Sequence, residues 1–143
     1  MRPPSTLRWM SRNSSTNHRP GGTLYDPYQH AEELSIQVLH RPLRTAHEMW
    51  LPDHNIIVVK SGLRRIHDRS ALAHGIAHAA LGHPDDRPKH EVQADRYAAE
   101  RLIDEDQALA LCRWTQDPAR IAAELGVSGR LWRVWANTHR QVA

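Results

Sequence analysis

The chain has 143 residues, 40% of them hydrophobic and 24% charged, with a formal net charge of +3 and one cysteine. That length suits a single domain with its own core, and no apolar run approaches the ~18 residues a membrane span needs. Lone Cys112 excludes an internal disulfide framework and any Cys-rich zinc finger, the first arginines are not followed by the apolar stretch of a secretory signal, and the cytoplasm is the expected compartment.

The positive charge belongs to one end. Residues 1–24 hold Arg2, Arg8, Arg12 and Arg19 and no acid, so the remainder is close to neutral. Rich in Pro, Ser, Asn and Gly and without a period, 1–24 are expected to be a disordered basic tail before a domain at 25–143. Such a tail adds at most weak, salt-sensitive affinity for nucleic acid. Asp26-Pro27 has the chemistry of an N-cap and first helical residue. Ile36, Val38 and His40 alternate as a strand does, and Met49-Trp50-Leu51 forms a second apolar stretch. Pro52 to Asn55 is turn chemistry, followed by the β-branched strand Ile56, Ile57, Val58 and Val59. Residues 36–59 therefore predict a small, mostly antiparallel sheet with a hairpin near Asp53–Asn55.

From about Asp68, with Asp68 or Ser70 as cap, a helix apolar on most of its circumference is predicted, which marks a central, buried position. Gly82 to Asp86 ends it. A second helix is expected from about Lys89 to Ile103, then helices near 105–113, 118–125 and 129–141, the last two capped by Asp117 and Ser128. The predicted fold class is α+β, with helices on a small sheet and a helical C-terminus.

The central helix reads LAHGIAHAALGH. At about 3.6 residues per turn, His74 and His78 share one face, one turn apart, where a single divalent ion can join them. Two imidazoles without partners are costly in so apolar a helix, and zinc suits neutral imidazoles at this spacing. A third ligand must come from another element. The next helix offers Glu91, the better placed, and Asp95 one turn later, positioned to receive an imidazole N–H and fix its tautomer.

LAHGIAHAALGH followed by HEVQADRYAAERLI resembles the ImmA/IrrE family of zinc-dependent metallopeptidases, which pair an HExxH helix with a downstream E-x-x-A-D helix. The likeness covers roughly residues 25–140 and is most specific over 70–103. It implies a minimal zincin-like fold, zinc on His74, His78 and Glu91, and a phage, mobile-element or stress-response setting in which a helix-turn-helix repressor is cleaved or inactivated. One position departs from the pattern. The residue after the first histidine is a glutamate in HExxH, the general base on the metal-activated water. Here it is Gly75, which accepts no proton and costs about 1 kcal/mol against alanine in a helix interior. Metal binding is expected to outlive efficient catalysis, and Gly75→Glu to restore it. A substitute base, His83 or His90, is the least favoured option. The alternative function is a non-catalytic protein that sequesters a transcriptional regulator, with zinc as a staple.

Two further expectations concern partners. In zincins an exposed strand edge beside the metal holds the peptide, and Ile56–Val59 is the candidate, although it reads more readily as a core strand, with which that role is compatible. Residues 118–140 carry apolar positions at helix-turn-helix-like offsets, with Arg130, Arg133 and Arg140 able to meet phosphate. Trp132 and Trp135 in that segment read as well as core aromatics of a helical lid.

Overall fold

A computed structural model describes residues 24–139. Six helices and three strands follow in the order α1 (Pro27–Glu33), β1 (Gln37–Arg41), β2 (Glu48–Leu51), β3 (Ile56–Lys60), α2 (Arg65–Ala80), α3 (Pro88–Leu102), α4 (Glu105–Trp114), α5 (Pro118–Leu125) and α6 (Gly129–Thr138). The tail expected over 1–24 lies, except for Leu24, outside the described residues.

Local chemistry places most boundaries. Asp26 caps α1 by accepting from the Tyr28 N–H, and Asp104, Asp117 and Ser128 do the same for α4, α5 and α6. Helix α5 ends at Gly126, whose φ of 73° allows its N–H and that of Val127 to turn back onto the Ala122 and Ala123 carbonyls. Helix α2 starts three residues earlier than predicted, at Arg65. Asp68 does not cap it. Its carboxylate accepts from the Tyr28 hydroxyl and lies 3.0 Å from His40 Nε2.

The sheet order is β1-β3-β2, with β2 antiparallel to β3 and β1 parallel to it. The hairpin forms as predicted, with Asn55 in the left-handed region at its end. The expectation of a mostly antiparallel sheet gives way to a mixed one. Alternation fixes which face of a strand is buried, not which edge it joins, and the connection after β1 carries the chain across to leave β1 on the far side of β3.

Ile57 and Val59 are fully buried and, with Ala31, Leu72 and Ile76, form the core between sheet and helices. Helix α2 also packs on α3, and every residue from Ser70 to His78 is buried. A second core joins α3 to α6 around Leu111, Leu131, Trp132 and Trp135. Of the residues that suggested a helix-turn-helix, Ala122, Leu125, Val127, Trp132 and Trp135 are the interior of this core. Trp135 is 1% exposed and stacks against Trp132 and His139. Trp135→Ala should cost about 3–5 kcal/mol of stability, read as a lowered urea midpoint at unchanged slope.

Candidate metal centre

The α2 spacing does what it predicts. His74 and His78 stand one turn apart with Nε2 atoms 3.1 Å from each other and ring planes nearly perpendicular. Helix α3 folds back beside α2 and contributes two carboxylates, also one turn apart. Glu91 Oε1 lies 3.1 Å from His74 Nε2 and 2.6 Å from His78 Nε2. Asp95 Oδ1 lies 2.8 Å from His74 Nδ1.

The outer nitrogens set the tautomers. His74 Nδ1–H donates to Asp95, which leaves the Nε2 lone pair facing inward. His78 Nδ1 is 2.9 Å from His83 Nδ1, and His83 Nε2 is 2.7 Å from the Gln93 side-chain oxygen. An amide oxygen only accepts, so His83 donates through Nε2 and accepts at Nδ1 from His78. His78 Nε2 is therefore also a bare lone pair. His83 is thus engaged in orienting His78. His90 stacks on His83 and hydrogen-bonds Asp85 rather than facing the centre.

With His74 neutral, two inward Nε2 lone pairs and a carboxylate oxygen make a donor set that fits a cation. Ligand bonds of about 2.0–2.1 Å in a tetrahedron separate donors by about 3.3 Å, so the observed spacings need little expansion. Asp95→Asn should weaken binding of a divalent metal ion by about 10–100-fold, measured by competition with a chromophoric chelator.

Glu48, at the start of β2, is the member that sequence reasoning missed. It offers a ligand atom within 4.8 Å of those of His74 and His78. Its Oε1 is 3.6 Å from His74 Nε2, and the side chain is 12% exposed against 43% for Glu91. Strand pairing sets Glu48 opposite Val59 and Trp50 opposite Ile57, on the face that looks toward α2. A glutamate on the inward face of an amphipathic strand was the available signal. The apolar stretch recognised at Met49 stopped one residue short of it.

Electrostatics follow from this crowding. Burial, with Glu91 adding to it, pushes the Glu48 carboxyl up to about 7, opposed by His74 and Arg130. Burial works against charge on His74, but the Asp95 hydrogen bond and the carboxylates of Glu48 and Glu91 outweigh it and raise its pKa. Burial and the neighbouring His74 lower that of His78. Arg130 extends from the start of α6 to within 3.2 Å of Asp95, so this arginine, expected to be free for phosphate, is tied to the site. Arg133 is exposed, and Arg140 lies outside the described residues.

The centre opens on a cleft of about 720 Å³ whose walls include His47, Glu48, Trp50, His67, Asp86 and Arg130. Ile56–Val59 is not its exposed edge. As β3 it is the middle strand, with backbone groups engaged on both sides, and β2 is the edge strand that lines the cleft. Gly75 does hold the position after the first histidine, and its surroundings there are close. A Cβ there would lie 3.0 Å from Ile57 Cγ2 and 3.1 Å from Glu48 Oε2.

No helix among the described residues is long and apolar enough to cross a membrane. No curated protein matches the chain. The model of the IrrE N-terminal-like domain, Peptidase_M78, matches residues 31–130, a span that includes Glu48, His74, His78, Glu91, Asp95 and Arg130. With most of its length matched, and with two histidines and a glutamate close enough to share a metal, the chain belongs to this ImmA/IrrE-like, metallopeptidase-type family.

Proposed function

We propose that the chain is a zinc-dependent endopeptidase-type protein that acts on a protein partner, a helix-turn-helix transcriptional regulator, in a cytoplasmic phage, mobile-element or stress-response setting. The observation that carries the proposal is the convergence of His74 Nε2, His78 Nε2 and Glu91 Oε1, with each imidazole's other nitrogen already hydrogen-bonded. These three residues are the proposed ligands, and Asp95 and His83 hold the rings in place. Zinc in such a site supplies Lewis-acid polarisation of the scissile carbonyl and lowers the pKa of water to about 7. The choice of regulator and setting rests on the family resemblance.

The chain's own residues supply positioning. The open edge of β2 offers main-chain groups to an extended peptide, as added strands use elsewhere, and Trp50 and Met49 line the cleft along it. A second reading, sequestration without cleavage, is favoured by Gly75 alone. Metal analysis, followed by incubation of the zinc-loaded protein with a helix-turn-helix regulator encoded beside its gene, separates the two. Clipped regulator is the expected outcome. Stable co-elution of intact regulator would favour sequestration, and a protein that takes up no zinc would end both.

A further inference from the structure

Glu48 has a buried carboxylate oxygen, Oε2, with no hydrogen-bond partner among the described residues. Orphaned buried acceptors are rare in folded proteins, and such an atom calls for a partner supplied by ligand, ion or water. The same atom lies 3.1 Å from the point where a side chain at position 75 would begin. A side chain begun at position 75 would therefore press on Ile57 as well as on the Glu48 carboxylate. Its other oxygen faces His74 Nε2 at 3.6 Å, farther out than Glu91, which is within 3.1 Å of both imidazoles. Three close ligands and one open position are the arrangement of a catalytic zinc site, and Glu48 stands beside that set rather than completing it.

We infer that Glu48, delivered from strand β2, takes the place of the HExxH glutamate as the catalytic proton acceptor, so that Gly75 records a relocated carboxylate and not a lost one. This rests on the metal-centre reading proposed above. A water oxygen forms the new bond to the scissile carbonyl carbon while one of its protons passes to Glu48. That proton then moves to the amide nitrogen as the C–N bond breaks. The products are a carboxylic acid and an amine, which exchange the last proton in solvent. Because Glu48 comes from the sheet, the strand that borders the cleft also carries the base.

Acetohydroxamic acid is the probe. It chelates a metal as its anion, and the proton it loses needs an acceptor next to the ion. Zinc affinity is measured by chelator competition, and acetohydroxamate affinity from the visible spectrum of the cobalt-loaded protein, for wild type, Glu48→Gln and Glu48→Asp, each checked for folding by circular dichroism. The expected result is zinc affinity changed by less than about threefold, below the loss from removing an outer partner of a ligand. Acetohydroxamate affinity should fall roughly tenfold or more in Glu48→Gln, the scale of a charge-assisted hydrogen bond, with Glu48→Asp between it and wild type. Equal binding by Glu48→Gln and wild type, or Glu48→Asp no better than Glu48→Gln, overturns the inference, since Gln keeps the shape and Asp the charge. Loss of zinc affinity in both variants makes Glu48 a ligand and overturns it equally. A wild-type protein that binds no zinc refutes the metal centre itself, a pattern distinct from these.

Discussion

Replacing His78 with alanine is expected to abolish tight zinc binding and with it the zinc-dependent part of the protein's stability. His78 Nε2 is 2.6 Å from Glu91 and 3.1 Å from His74 Nε2, so its removal leaves a two-point site. The loss should exceed the roughly 10–100-fold that follows from disturbing an outer partner, and Asp95→Asn provides that reference in the same experiment. Zinc at a hundred times its dissociation constant stabilises a folded protein by about 2.7 kcal/mol, which for a domain of this size is a thermal shift of several degrees. Wild type should melt higher with zinc than with a chelator, and the variant should melt at one temperature in both. A zinc-dependent shift retained in His78→Ala would show that the ion is held elsewhere.

Gly75→Glu is expected to destabilise the protein, a cost the HExxH pattern does not show. Replacing a helical glycine gains up to about 1 kcal/mol of helix propensity. Against it stand overpacking onto Ile57, which is fully buried, at about 1–3 kcal/mol, and a second carboxylate beside Glu48, whose own charge is already disfavoured by burial. The position lies in a helix held between the sheet and α3, so the backbone has little freedom to retreat. Urea unfolding should give a lower midpoint for Gly75→Glu, and Glu48→Ala in the same chain should recover part of the loss, since the two positions compete for one space. Coupling of about 0.5–3 kcal/mol is usual for residues in contact. A variant more stable than wild type would mean that neither Ile57 nor Glu48 opposes a side chain there.

The short-range half of the centre is legible in the order of residues alone. The helical period puts His74 with His78 and Glu91 with Asp95, and a short polar loop between a buried helix and an amphipathic one makes their meeting a reasonable expectation. Caps at Asp26, Asp117 and Ser128, and the turn leading into β3, are equally local. Each depends on residues within a few positions of one another, so backbone geometry suffices to relate them.

What the tertiary structure alone decided lies between elements distant in sequence. Nothing local states that β1 runs parallel to β3, that β2 is therefore the strand at the cleft, or that Glu48 points at His74 across 26 positions of chain. Arg130 belongs to the site only because α6 packs on α3. The glycine at position 75 shows the division most plainly. Read along the chain it is a missing carboxylate, because sequence records which side chain a position lacks. In space it is a place of close approach, because the fold brings Ile57 and the Glu48 carboxylate to 3.0 and 3.1 Å from where a Cβ would stand.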